Sequence, residues 1–334
     1  MSEELDKLKQ RIKKDMNVSL LSGDDPSLKI EKIPTNIYSL DHIIGGGLPK
    51  RRFTLLFGSD GTGKSTLSAL CAKAVQQSGG LVAYFDVEGA FNPDWWQKLG
   101  INLSNLLHIK TDVAEKLFDV LIELCKSKVD LIILDSIACL ISKEEFAKGS
   151  EDKSVAALAR LVNTSLKRII QHNENSAIIL INQVRSNVVG YGDRNFLPGG
   201  RGQLFDASLR LKVEKGDFIS DPEAKKTKLG KKKHQGEDSL GYYMVIFVDK
   251  NKIGMPYRSC TIPIYFDGRV DPIYTLFDIG LQEGVIERRG AFYSVDSYKI
   301  LGQEGFLDEL RSDEKLLTIV KEKLFKGEGS NDKH

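Results

Sequence analysis

The chain is predicted to be an α/β protein, a twisted and mostly parallel sheet with helices on both faces. Three observations predict that class. Apolar runs of strand length recur at 53–57, 81–88, 129–135 and 177–183, as in strands buried on both sides. Between them lie longer stretches with apolar residues at helical spacing, the alternation that builds a parallel sheet through crossover connections. Polar residues close three of the runs (Glu88, Asp135 and Gln183) and Gly58 follows the other, and open α/β sheets bind their ligands at such strand ends.

The first run leads into GSDGTGKS, residues 58–65, which fits G-x-x-x-x-G-K-[ST] at Gly58, Gly63, Lys64 and Ser65. Glycine allows the backbone to bend so that successive N–H groups converge on a phosphate. The cradle comprises Gly58, Ser59, Asp60, Gly61, Thr62, Gly63, Lys64, Ser65 and Thr66. Lys64 supplies a mobile positive charge for the outer phosphates, and Ser65 a hydroxyl for Mg²⁺. Beyond the loop, Leu67, Leu70, Cys71, Ala74 and Val75 keep helical spacing up to Gly79-Gly80. A strand, a glycine-rich turn and a helix N-terminus facing the phosphates make a nucleoside triphosphate site. Asp135, closing the apolar run 129–135, belongs beside Ser65 as the second holder of hydrated Mg²⁺.

Composition bounds the rest. At 334 residues there is room for one large domain or two, and 41% hydrophobic with 28% charged residues is ordinary for a soluble globular chain. No run approaches a membrane span and the first residues hold no apolar segment, so a cytoplasmic protein without a membrane partner is expected. Cys71, Cys125, Cys139 and Cys260 form no C-x-x-C pair and are expected to be reduced. A net charge of +2 means that nucleic-acid affinity must come from local patches.

In chain order, residues 3–15 suggest either a charged helix with Leu5, Leu8 and Ile12 as its stripe, too short to stand alone, or a frayed tail. Residues 17–31 form a polar linker. Then Thr35, Ser39-Leu40-Asp41 and Gly45-Gly46-Gly47-Leu48-Pro49, running into the phosphate loop, resemble the RecA recombinase family and its archaeal relatives. The resemblance spans roughly 33–326. It implies a RecA-like ATPase core, with Glu88 of DVEGAFNPDWW as the residue that activates water. It also implies that Trp95, where the family usually has tyrosine, stacks on adenine.

Gln183 matches the family's γ-phosphate sensor, which signals to the DNA-binding loop that follows. That loop, 184–203, combines Gly199, Gly200 and other glycines with Arg185, Tyr191, Arg194, Phe196 and Arg201. Arginines interleaved with aromatics suit single-stranded DNA, pairing with phosphate and lying on bases. Residues 146–154 occupy the position of the family's first DNA loop, but Glu151 and Asp152 there offset Lys148 and Lys153, which leaves its contribution to DNA binding open. Phe205-Asp-Ala-Ser-Leu-Arg-Leu resembles the family's strand after that loop, which implies Phe205 at the subunit interface. Lys250 and Lys252 match the two lysines that reach a neighbour's ATP, and the absence of Asp from Asn251-Lys252-Ile253-Gly254 favours ATP over GTP. The main departure from the family is 221–239, with six lysines and almost nothing apolar: an idle hairpin tip or an accessory DNA-phosphate contact.

The expected organisation is an N-terminal helix and linker for subunit assembly (1–32), the ATPase core with its DNA loops (33–269) and a small α/β C-terminal domain with its tail (270–334). The implied activity is ATP-dependent pairing and strand exchange between single-stranded DNA and homologous duplex by a head-to-tail filament, with ATP and Mg²⁺ as cofactors. A ring helicase and a RecA-like regulatory ATPase without strand exchange remain the alternatives at this stage.

Overall fold

The computed structural model describes residues 7–12, 14, 20–111, 113–144, 154–186, 195–220 and 239–325. The chain divides into two units, 1–31 and 32–334. In the first, residues 7–12 are helical, and Asp25 caps a turn at Pro26–Leu28 by accepting from Ser27 N. Residues 3–6 of the expected helix lie outside the described residues.

The second unit starts with a two-residue ladder between β1 (Lys32–Ile33) and β2 (Leu48–Pro49) around α1 (Tyr38–Ile44). Asp41 folds back to accept from both the backbone N and the hydroxyl of Thr35, at 2.9 and 2.8 Å, so it fixes the chain entering α1. Gly45 ends that helix in the left-handed conformation, φ 81°, which favours glycine.

An eight-stranded sheet follows, in the order β12-β11-β10-β3-β7-β6-β4-β5. Its strands are β3 (Arg52–Gly58), β4 (Val82–Asp86), β5 (Leu106–Ile109), β6 (Leu131–Asp135), β7 (Ala177–Gln183), β10 (Leu209–Ser220), β11 (Ser239–Asn251) and β12 (Ser259–Tyr265). Six run parallel from β10 to β5, while β11 and β12 are antiparallel additions beyond β10. The four helices α2 (Lys64–Gln77), α3 (Pro93–Leu99), α4 (Ala114–Cys125) and α5 (Ser154–His172) form four of the five crossovers.

Why the strand runs look continuously apolar is now visible. In β6, Leu131 and Ile133 enter the core under α1–α3, whereas Ile132 and Leu134 enter the core under α4 and α5. In β7, Ile179 and Ile181 face the first core and Ile178 and Leu180 the second. Each face has period two, and both faces are buried. Full burial of each such side chain contributes roughly 1.5–3 kcal/mol.

A third core encloses α7 (Pro272–Gln282), the antiparallel strands β13 (Glu287–Arg289), β14 (Phe292–Val295) and β15 (Tyr298–Leu301), then α8 (Gln303–Ser312) and α9 (Glu314–Phe325). Tyr38 of α1 packs against it, its ring centroid 6.1 Å from that of Phe325. No helix among the described residues is long and apolar enough to cross a membrane.

Two local expectations change. The run 81–88 ends as a strand at Asp86, so Glu88 stands in the following loop rather than on the strand tip. Phe205 lies in a one-turn helix, α6 (Gly202–Asp206), and the strand after it begins only at Leu209. The stretch 145–153, residues 187–194 with Tyr191 and Arg194, and the lysine-rich 221–238 lie outside the described residues.

Candidate active site

Two glycines shape the phosphate loop. Gly58 closes β3 against the neighbouring backbone, where a Cβ would stand 2.2 Å from the Val213 carbonyl oxygen. Gly63 caps α2 with φ 92°, and a Cβ there would fall 2.4 Å from the Tyr242 hydroxyl. Both positions therefore exclude side chains, one by contact and the other by contact and conformation together. The first N–H groups of α2 are left facing the loop with the positive end of the helix dipole behind them.

Lys64 is 6% exposed, and its ammonium donates to the carbonyls of Ser59 (2.6 Å) and Gly58 (3.3 Å). Burial lowers its pKa, while Asp60, Asp135 and Glu88 oppose that shift. Ser65 Oγ donates to Asp135 Oδ2 at 2.6 Å, and Tyr84 donates to the same oxygen at 2.9 Å. The other oxygen, Asp135 Oδ1, is buried with no hydrogen-bond partner among the described residues. A half-used buried carboxylate beside a serine hydroxyl is a donor set that would fit a hydrated Mg²⁺. Burial raises the Asp135 pKa, opposed by the bonds from Ser65 and Tyr84.

Glu88 completes the ring of polar groups. The amides of Val87 and Glu88 both donate to the Asp135 carbonyl, at 2.8 and 3.2 Å, which draws the loop across the end of β6. Gln183 Nε2 lies 3.3 Å from each Glu88 carboxylate oxygen. Burial first, then the negative charges of Asp135 and Asp60, raise the Glu88 pKa. Lys64, Ser65, Thr66, Glu88, Asp135 and Gln183 line one cavity of about 280 Å³, together with Asp60, Gly61, Gly63, Ile181 and Tyr242.

Other expected residues stand elsewhere. Trp95 is on α3, half-buried against the first core, and does not line the phosphate cavity. Lys250 pairs with Arg210, and Arg210 with Leu55, well before the loop end of β3. That places Lys250 about 10 Å down the sheet from Gly58 and about 10 Å across two strands. There Lys250 donates to the carbonyls of Leu204 and Phe205 (3.0 and 2.7 Å), and Lys252 to that of Phe205 (3.1 Å). The Phe205 side chain is 70% exposed.

Of the DNA-loop residues, Arg185 of β8 (Arg185–Ser186) pairs with Phe196 of β9 (Asn195–Phe196) in a two-residue ladder, and both are exposed. Gly199 and Gly200 follow with positive φ, and the exposed Arg201 immediately precedes α6. The two ends of the segment are closed by a buried pair: Asn182 Nδ2 donates to Gln203 Oε1 (2.8 Å) and to the Pro198 carbonyl (2.9 Å).

A family model described as the RecA N-terminal domain matches residues 1–271. Protein RecA of Thermus aquaticus is 33% identical over 308 residues, covering 90% of this chain and 87% of that protein. For a Protein RecA of Thermus thermophilus the identity is 32% over 313 residues, covering 92% and 88%. The Gloeobacter violaceus Protein RecA is 28% identical over 314 residues, covering 91% and 81%. This chain belongs to the RecA family.

Within this member, sequence reasoning passed over Tyr84, Tyr242 and the Asn182–Gln203 pair. Tyr84 is an interior residue of an apolar run, and its aim at Asp135 depends on β4 pairing with β6, Asp86 opposite Asp135. Tyr242 reaches Gly63 only because β11 runs antiparallel and returns its start to the loop end of the sheet. Neither relation has a signature in local spacing.

Proposed function

We propose that this RecA-family chain is an ATP-dependent DNA recombinase that forms a helical filament on single-stranded DNA and exchanges strands with a homologous duplex. The observation that carries the reading is the joining of loop, metal-ligand pair, carboxylate base and glutamine in one cavity, with Gln183 bonded to Glu88 and opening the arginine-rich segment. The family membership supports the same conclusion.

In this reading the amides of 58–66 and Lys64 hold the ATP phosphates, and Lys64 exchanges its loop carbonyls for phosphate oxygens. Ser65 and Asp135 hold Mg²⁺, which when bound neutralises charge developing on the phosphates. Glu88 orients a water in line with the γ-phosphate and accepts its proton, a task that its raised pKa suits. Gln183 touches the base on one side and opens the DNA segment on the other, so phosphate state and DNA contact bear on one side chain. Trp95 is assigned to the adenine. Arg185, Tyr191, Arg194, Phe196, Gly199, Gly200 and Arg201 meet the single strand.

Lys250 and Lys252 cannot serve the loop of their own chain from their place on the sheet. They are assigned to the ATP of a neighbouring copy, with Phe205 at the same junction. A head-to-tail contact that does not close on itself yields a helical filament. Residues 33–269 then form the ATPase core, and 270–334 a small domain at its side. The proposal extends to a cytoplasmic location.

Imaging with single-stranded DNA and a non-hydrolysable ATP analogue tests the assembly. Helical filaments on the DNA are expected. Closed rings would point to a helicase, and dispersed protein on bare DNA to a regulatory ATPase.

A further inference from the structure

Glu88 sits in the short connection after β4, and two of its anchors are the amide bonds to the Asp135 carbonyl already described. A third is Asp86, the last residue of β4, whose Oδ1 accepts from the Ala90 amide at 3.0 Å and so ties the far side of the connection. The Asp86 side chain is 1% exposed. Its second oxygen is buried without a hydrogen-bond partner among the described residues, and so is the His108 Nε2 that faces it at 3.4 Å. Lys110 Nζ lies farther off, at 4.0 Å on an exposed side chain.

His108 comes from the edge strand β5, opposite Tyr84 in the ladder. Its ring touches Phe91 with centroids 4.5 Å apart and lies 6.1 Å from that of Tyr84, nearly parallel at 19°. The imidazole therefore meets the residue that opens the Glu88 connection, Asp86, and the aromatic that ends it, Phe91. Buried polar atoms in folded proteins are rarely left unserved. Two such atoms facing each other at this distance are best explained as each other's partner.

The geometry points to His108 as a positioning residue for catalysis: its Nε2–H steadies Asp86, and its ring steadies Phe91, so that Glu88 is held over the phosphate cavity. It does not itself line the phosphate cavity. This rests on the assignment of Glu88 as the base. With the carboxylate held loosely, the protein should bind ATP as before yet activate water poorly, because small errors of placement are costly in the chemical step and not in binding.

The test compares His108→Gln with His108→Met in the full chain on single-stranded DNA. Both replacements are of similar size, and only Gln can donate to Asp86. The expected result is kcat about tenfold or more lower for His108→Met, with KM for ATP and the affinity for a fluorescent ATP analogue within about twofold of the parent. His108→Gln should recover most of the lost kcat. Placed in a Glu88→Gln background, the two variants should no longer differ. Equal kcat for the Gln and Met variants would overturn the inference, as would a loss carried equally by nucleotide affinity, or a difference that persists without the carboxylate. The parallel Glu88→Gln protein separates the two claims. If it turns over normally, the base assignment falls and His108 with it; if it is inactive while the Gln and Met variants match, only the role of His108 falls.

Discussion

Glu88 and Asp135 face one cavity with raised pKa values, yet their surroundings fit them for different work. Asp135 is almost wholly buried and takes two hydroxyl donors on one oxygen, the posture of a ligand. Glu88 is more open to solvent and receives only the Gln183 amide among the described residues, which leaves it able to accept a proton. Glu88→Gln is expected to lower DNA-stimulated ATP hydrolysis by about 10²–10⁴-fold while ATP binding and filament formation survive, as steady-state rates and nucleotide titration would show. The acid limb of the pH profile follows from the sign of the shift. A base works when deprotonated, so kcat should fall as pH drops through the Glu88 pKa, above the ordinary value of 4.5. A limb at or below 4.5 would speak against Glu88.

Elements are joined by small polar devices with their own pH dependence. Glu283, at the end of α7, accepts from Arg258 of the segment before β12 at 2.8 Å and contacts His42 of α1 at 2.9 Å. The His42 bond lowers the Glu283 pKa, burial, the next largest effect, opposes it, and the Arg258 and His42 charges lower it further. A carboxylate with a depressed folded-state pKa adds stability that is present above its unfolded value of 4.5. That stability is lost as pH falls through the folded value. Because the side chain is 36% exposed, solvent screening limits the effect to about 0.2–1 kcal/mol. Glu283→Gln should lose that much in denaturant titrations at pH 7, and the gap should narrow below pH 4.5. A gap unchanged with pH would show that Glu283 acts by packing alone. The connection between β10 and β11 offers a second test. If its lysines touch DNA phosphate, deleting 223–236 should flatten the salt dependence of binding by about 0.7 per contact on single strands and 0.9 on duplex. An unchanged slope would leave it an idle tip.

At the scale of the molecule, the sheet separates the two halves of the proposed chemistry. The loop lies at the C-terminal end of β3, whereas the antiparallel β11 delivers Lys250 and Lys252 toward the other end. In the proposed filament, an active interface needs the loop of one copy and the lysines of the next. Lys64→Ala and Lys250→Ala should each be nearly inactive alone. Mixed equally, they should regain ATP hydrolysis, because about one random interface in four combines an intact loop with intact lysines. With co-assembly shown by a separate label, no recovery at any ratio would require an ATP site built within one copy.

The sequence by itself determined the α/β class, the phosphate loop and the strand ends from which Asp135 and Gln183 project. These are local facts: a strand buried on both faces must be continuously apolar, and a loop that wraps phosphate must carry glycine at fixed offsets. It also brought Glu88 to the right end of the sheet, though not to its place beyond the strand. Tertiary structure decided the rest. Tyr84 meets Asp135, and Asp86 meets His108, through the registry of strands far apart in the chain. Tyr242 reaches Gly63, and Lys250 is carried away from it, because β11 runs antiparallel. Trp95 remains outside the phosphate cavity because α3 seats it against the core. Spacing along a chain encodes what one element presents, whereas which elements stand side by side, and at what offset, is settled only when the whole core packs.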